Sequence, residues 1–158
     1  MRMNQARINQ ADGNWLESGE PGRPSHALTQ FMEVADRIQA ELESQLKALG
    51  LTSSRFEVLR RLLRAGEPVP LRVLAKAQKC VPSYITNIVD RLEADGLVRR
   101  VDDPFDRRSR RALLTSLGEI RANEGIDLLA RLSARVERAM GPQGAALLDR
   151  LQKELVSK

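Results

Sequence analysis

The sequence predicts a mainly α-helical fold that contains one small β-hairpin. Apolar residues recur at spacings of three and four over most of residues 28–155, which is the period of a buried helical face. Glycines and prolines divide this stretch into segments with the length of single helices. Apolar and basic residues instead alternate over 97–101, and a second short apolar segment follows at 112–115. This alternation favours a pair of strands.

The first 24 residues are predicted to form a flexible arm, because they contain glycines and prolines and show little apolar periodicity. Trp15 and Leu16 are the exception. One interpretation is a stray apolar pair that packs onto the body of the protein. The other is a short helix that lines a pocket or a dimer seam.

Three helices are predicted before residue 80. The first spans 25–50, since Ser25 suits a helix cap and Gly50 suits a left-handed helix end. The second begins after Thr52 and ends at Gly66. A short third helix covers about 71–78, after two prolines.

A fourth helix is predicted over 82–95, because Pro82 suits the first helical turn and Gly96 ends the apolar pattern. Its predicted buried face consists of Ile85, Ile88, Val89 and Leu92 and leaves polar side chains outside. The two strands follow, joined by a loop over 102–111. A long helix then runs from Gly118 to about residue 140, with Ile120 among its predicted inward residues, and the pair at 141–142, Gly-Pro, separates it from a last helix.

Composition limits the function classes. The 158 residues carry a net charge of +5, which favours a polyanionic partner, although a solvated basic surface is the alternative. A single cysteine and a single histidine exclude a disulfide framework and a Cys/His zinc site within one chain. No nucleotide-binding glycine motif and no long apolar run occurs. We therefore expect a cytoplasmic protein that is not an enzyme and has no metal, cofactor or membrane span.

The helices at 71–78 and 82–95, with the tight turn between them, predict a helix-turn-helix, and the hairpin behind them makes a winged helix-turn-helix core. The start of a recognition helix enters the major groove of DNA and needs small or polar side chains. The expected DNA-binding residues of this part are Ser83, Tyr84, Thr86 and Asn87, with Lys79 facing a phosphate. The alternative is an ordinary amphipathic helix with a polar outer face.

The loop sequence "DDPFDRRSRRALLT", residues 102–115, holds four arginines and three aspartates. Arginines at the tip of a wing suit the narrow minor groove, and a neighbouring carboxylate can hold one in place. We expect Arg107, Arg108 and Arg110 to contact DNA and Asp106 to stabilise the wing. The alternative is a solvated hairpin that binds nothing, although surface ion pairs stabilise a fold only weakly.

"DPFDRRSRRALLT" resembles the wing of the MarR family of bacterial transcriptional regulators, and "VDRLEADGLVRR", residues 89–100, resembles the end of that family's recognition helix and the next strand. The resemblance covers roughly residues 28–157. It implies a homodimer on a pseudopalindromic operator, with Arg108 in the minor groove and Asp106 steadying the wing. It also implies dimerisation helices at 25–50 and 116–158 around a DNA-binding core at 51–115.

The resemblance further implies a small anionic or phenolic effector between the dimer helices and the winged lobe. The candidate pocket residues are Trp15, His26, Phe31, Phe56 and Arg60. Two departures from the family pattern stand in the turn, where Val81 replaces a capping serine and Lys79 replaces a glycine.

The sequence thus predicts a dimeric, ligand-responsive repressor of double-stranded DNA. A nonspecific architectural DNA binder and a winged-helix protein-interaction module are the alternatives. The lone Cys80, placed before the recognition helix, is either an inert residue of the turn or a redox switch.

Overall fold

A computed structural model describes residues 26–104, 106 and 109–156. The elements follow in the order α1 (His26–Ala48), α2 (Ser53–Ala65), β1 (Val69–Pro70), α3 (Leu71–Ala77), α4 (Pro82–Ala94), β2 (Val98–Asp102), β3 (Arg110–Leu114) and α5 (Ser116–Val156). The chain divides into two units between Ile38 and Gln39, within α1. The core described below belongs to the second unit.

Helix caps explain where the second helix begins and ends. The Thr52 hydroxyl accepts a hydrogen bond from the backbone N–H of Arg55, which satisfies a free amide of the first turn. Gly66 ends α2 with a φ of 66°, in the left-handed region that glycine enters without steric cost. Both boundaries agree with the sequence prediction.

The core forms where α2, α4 and α5 meet the sheet. Its members are fully or almost fully buried, and the largest of them include Leu46, Leu59, Leu74, Ile85, Leu92 and Val98. Helix α4 supplies Ile85, Ile88, Val89 and Leu92, the four residues that its sequence pattern assigned to the buried face. The orientation of α4, and therefore of its polar face, is fixed by this apolar stripe.

The sheet has three antiparallel strands in the order β1-β3-β2. The sequence analysis missed β1, whose two residues, Val69 and Pro70, were interpreted only as a break between helices. Proline is tolerated there because β1 lies at the edge of the sheet.

The hairpin also starts and ends at different residues from those predicted. β3 begins at Arg110 and not at 112, and β2 extends to Asp102, which pairs with Arg110 across the ladder. The loop is therefore shorter than predicted, over 103–109. Arginines and aspartates in this stretch suggested a loop, but side chains on the outer face of a strand can be charged.

Helix α5 packs partly by small residues, and this corrects the predicted inward position of Ile120. Ile120, predicted to point inward, is 56% exposed, whereas Ala122 is fully buried. A Cβ placed at Gly118 would lie 1.9 Å from the Leu97 carbonyl oxygen. The helix therefore lies against the sheet through residues that a search for large apolar side chains overlooks.

Two further features position α5. The Thr115 hydroxyl donates to the Gly96 carbonyl (2.7 Å) and accepts from the Gly118 N–H (3.0 Å), so it joins the end of α4 to the start of α5. At Gly141 the backbone leaves helical geometry, with φ 64° and ψ −175°, and Pro142 follows. This kink agrees with the helix break predicted at 141–142.

Candidate nucleic-acid interface

The turn between α3 and α4 has an unusual backbone for its residue type. The N–H of Cys80 donates to the Ala75 carbonyl (3.1 Å) and that of Lys79 to the Lys76 carbonyl (3.2 Å), a pattern that normally places glycine in the left-handed position. Here Lys79 takes that position with a φ of 52°. The exposed Lys79 therefore stands at the corner of the turn, beside the start of α4.

The first turn of α4 has no side-chain cap. Val81 occupies the cap position and makes no capping hydrogen bond, while Pro82 starts the helix. In this first turn Pro82 has no N–H and the N–H of Tyr84 donates to the Val81 carbonyl (3.1 Å), while the helix dipole adds positive potential at the helix start. The start of α4 is therefore suited to an anionic group.

Two of the four predicted DNA-binding residues of α4 already make side-chain hydrogen bonds within the protein, and two do not. The Thr86 hydroxyl donates to the Pro82 carbonyl (3.1 Å), and the Tyr84 hydroxyl donates to Ser54 Oγ (3.0 Å). Ser83 and Asn87 are exposed, and their side chains make no hydrogen bond with the residues that the structure describes. They lie four positions apart, so they share one face of the helix.

The wing is braced by two arginine–aspartate pairs. Arg110 pairs with Asp102 on the surface, whereas Arg111 pairs with Asp103, whose side chain is only 3% exposed. Arg111 Nη2 donates to Asp103 Oδ1 (3.0 Å), and Nε lies 3.0 Å from Oδ2. This hydrogen bond raises the pKa of the Arg111 guanidinium above its usual value. The sequence analysis did not single out Asp103 as the buried brace.

The remaining predicted wing residues are only partly described. The Asp106 carbonyl accepts a hydrogen bond from the Ser109 N–H (2.9 Å). Arg107 and Arg108 lie outside the described residues. Arg110, expected in the loop, lies in β3, and its guanidinium faces Asp102. Arg110 was predicted to contact DNA, and in the structure its guanidinium forms an ion pair with Asp102.

The candidate effector residues have different environments. Phe31, in the first unit, is 50% exposed, while Phe56 is 4% exposed in the core of the second unit. His26 is exposed at the first turn of α1, and Trp15 lies outside the described residues. Arg60 pairs with Glu57 (2.8 Å).

A basic cleft lies between α2 and α3. Its volume is about 410 Å³, and its walls include Arg60, Arg61, Arg64, Val69 and Val73. Two of the arginines, Arg60 and Arg61, share the single carboxylate of Glu57. The cleft therefore offers cations beside an apolar wall, a combination that suits a small anion with an apolar body. Of the predicted pocket residues that the structure describes, only Arg60 lines this cleft.

Within the described part of the chain, no helix is both long enough and apolar enough to cross a membrane.

Residues 51–109 match the model of the MarR family. The chain is 31% identical over 88 residues to the HTH-type transcriptional repressor MdtR of Bacillus subtilis, and the alignment covers 56% of this chain and 56% of MdtR. It thus spans little more than half the length of this relative.

Two solved structures show the same fold. AbsC, a MarR family transcriptional regulator from Streptomyces coelicolor, is 26% identical with a TM-score of 0.70, over 83% of this chain and 90% of AbsC. A mutant MarR from E. coli, complexed with operator DNA, is 23% identical with a TM-score of 0.70, over 83% of this chain and 94% of that one.

Proposed function

We propose that the chain is a member of the MarR family with a winged helix-turn-helix domain, and that it is a sequence-specific, DNA-binding transcriptional regulator. The observation that carries this proposal is the outer face of α4. Ser83 and Asn87 are exposed, and their side chains make no hydrogen bond to any described residue. Both lie in the N-terminal half of α4, the half that follows the tight turn. Asn offers the paired donor and acceptor that adenine requires.

A protein-interaction module is the competing function. Such a module buries apolar and aromatic side chains at the centre of its interface. The outer face of α4 instead presents hydroxyl and amide groups, with Tyr84 as its aromatic member, 47% exposed. The polar face favours DNA over a protein partner. Operator DNA in the structure of the E. coli MarR mutant, which shares this fold, supports the same choice.

The test compares Asn87→Ala with Arg108→Ala by fluorescence anisotropy. The duplexes are one that the wild-type protein selects from a random library and a scrambled version, across a salt series. Asn87→Ala should weaken binding to the selected duplex by about 1–3 kcal/mol per half-site and leave the scrambled duplex almost unaffected. Arg108→Ala should weaken both and reduce the slope of log affinity against log salt by about one per protomer.

Equal loss on both duplexes for Asn87→Ala would favour an architectural DNA binder. If neither duplex binds the wild-type protein, the protein-interaction function moves ahead.

We further propose that the regulator is a homodimer on a pseudopalindromic operator. The last segment of α5 exposes Leu147, Leu148 and Leu151, and α1 exposes Leu28 and Phe31. These apolar stripes exceed what a single winged lobe needs, and a second copy would cover them. Sedimentation at micromolar concentration should give twice the mass of one chain. A monomer that still binds a palindrome tightly would contradict the dimer.

The last part of the proposal is repression relieved by a small anionic or phenolic effector. The cleft with Arg60, Arg61 and Arg64 supplies the cations for such a ligand. If DNA weakens the binding of the ligand by some factor, the ligand must weaken the binding of DNA by the same factor. Salicylate-like acids, phenols and urate are the probes, with Arg64→Ala as the variant that should lower their effect. No change in operator affinity or melting temperature with any probe would remove the effector.

A further inference from the structure

Arg100 ties the wing to the recognition helix. From β2 its Nη1 reaches Asp90 Oδ1 (2.5 Å) and Glu93 Oε2 (3.0 Å), and its Nη2 donates to the Thr86 carbonyl (3.3 Å). Its backbone N–H donates to Glu93 Oε1 (2.8 Å). All three partners belong to α4. One residue of the hairpin therefore holds α4 at three residues along the side that faces β2.

The same contacts place a positive charge beside two negative ones. Asp90 and Glu93 are two carboxylates, and Arg100 is the cation that contacts both; their side chains are 56% and 38% exposed. Together with Ser109 and Arg110 of the wing, Asp90 and Arg100 line a cleft of about 500 Å³ between α4 and the hairpin. Asp90 therefore faces the open space between α4 and the hairpin, and Glu93 lies one helical turn further along α4.

The position of this cleft determines what it would meet. If α4 occupies a major groove and the wing tip the adjacent minor groove, the strand that separates the two grooves passes between them. That strand presents phosphates, which unpaired carboxylates would repel. A cation that draws Asp90 and Glu93 toward β2 lowers this repulsion.

We propose that Arg100 is a positioning residue for DNA binding, which neutralises Asp90 and Glu93 and fixes the wing against the recognition helix. The inference rests on the proposed function, since it concerns the same DNA-facing surface. It assigns Arg100 two separable effects. The charge effect should change the affinity for any duplex. The fixed geometry should change the affinity only for the selected duplex, where α4 and the wing must reach their grooves at the same time.

A double-mutant cycle tests the charge effect. Arg100→Gln, Asp90→Asn and the double variant of the full chain are measured by anisotropy on a mixed-sequence duplex. Arg100→Gln should lower affinity about tenfold or more, and Asp90→Asn in that background should restore most of the loss. Contacting pairs show coupling that corresponds to roughly 2-fold to 150-fold in an equilibrium constant. Asp90→Asn alone should change affinity little.

Arg99 provides the matched control. It lies on the same strand, is exposed and makes no ion pair with any residue that the structure describes. Arg99→Gln removes the same charge, so it should weaken binding through lost phosphate attraction, and Asp90→Asn should not rescue it. Equal rescue of both variants, or rescue of neither, overturns the charge effect.

Arg100→Lys tests the fixed geometry. Lysine keeps the charge but cannot bridge two carboxylates and a carbonyl with one planar group. Affinity for the mixed-sequence duplex should stay within about threefold of wild type, while the preference for the selected duplex falls roughly tenfold. An unchanged preference overturns the positioning role, and because lysine keeps the charge this variant decides the question even if Arg100→Gln unfolds. Wild-type protein that binds neither duplex would instead refute the proposed function.

Discussion

Replacing Lys79 with glycine should make the protein more stable and a weaker DNA binder at once. Among the helices that the structure describes, α1, α3 and α4 end with the same backbone hydrogen bond, from the residue after the left-handed position to a carbonyl five residues back. Glycine takes the left-handed position after α1 and α4, at Gly50 and Gly96, each with a φ of 70°. Only after α3, among these three, does a residue with a side chain, Lys79, take it.

The expected magnitude follows from two opposing effects. A left-handed backbone costs an L-residue about 1–2 kcal/mol, which glycine would remove. Glycine also gives the unfolded chain more freedom, which costs about 0.4–1 kcal/mol. The net gain in the free energy of unfolding should be about 0.5–1 kcal/mol. For a chain of this length, that raises the melting temperature by roughly 1–4 °C.

The DNA effect has the opposite sign because the lysine charge is lost beside the recognition helix. If Lys79 contacts a phosphate, its removal should reduce the salt slope of binding by about one per protomer. The matched control is Lys79→Gln, which loses the charge but keeps a Cβ and therefore the backbone strain. It should lose affinity like Lys79→Gly without gaining stability.

Urea unfolding and anisotropy on one duplex measure both quantities. Equal stability of the glycine and glutamine variants would refute the argument from strain. An unchanged salt slope in both would refute the phosphate contact.

Three further predictions concern stability. Val81→Ser should raise the free energy of unfolding by about 0.5–2 kcal/mol in urea titration, because serine adds a side-chain cap to α4. Little apolar burial is lost, since Val81 is already 64% exposed. No gain would show that the N–H groups of the first turn are satisfied in another way. Gly118→Ala should cost about 3 kcal/mol or more in the same assay, because the clash is with a backbone oxygen of Leu97; a small loss would mean that α5 shifts easily. Arg111→Ala should lower the melting temperature in calorimetry more than Arg110→Ala does. The first change removes a partner of the buried Asp103 carboxylate, whereas the second removes a surface ion pair. Equal effects would contradict the stabilising role of the Arg111–Asp103 pair.

The elements that the sequence predicted correctly are those whose determinants are local. Helices α2 and α4 have apolar residues at helical spacing and a residue suited to begin or end them, so pattern and capping agree. The strand β1 has neither, because two residues carry no periodicity, and its pairing with β3 depends on a distant part of the chain. The buried face of α5 was predicted wrongly around Ile120, since Gly118 and Ala122 bury backbone instead of large side chains.

The candidate site shows the same division. Sequence alone selected the polar face of α4 by residue type. It could not separate Ser83 and Asn87 from Tyr84, whose hydroxyl bonds Ser54 on another helix. The roles of Asp103 and Arg100 also depend on which side chains meet across the hairpin or between strand and helix. These contacts follow from the fold and have no signature at a fixed spacing.

The ion pairs of the hairpin determine which charges remain for a polyanion. Arg100, Arg110 and Arg111 are each engaged by an acidic side chain, and a paired arginine releases fewer counterions from DNA than an unpaired one because part of its charge is already neutralised. Lys79, Arg91 and Arg99 are exposed and form no ion pair with described residues. The salt dependence of binding should therefore follow these three cations and the wing tip more closely than it follows the net charge of +5. In the proposed complex, the paired arginines of the hairpin would hold the shape that brings these unpaired cations to the DNA.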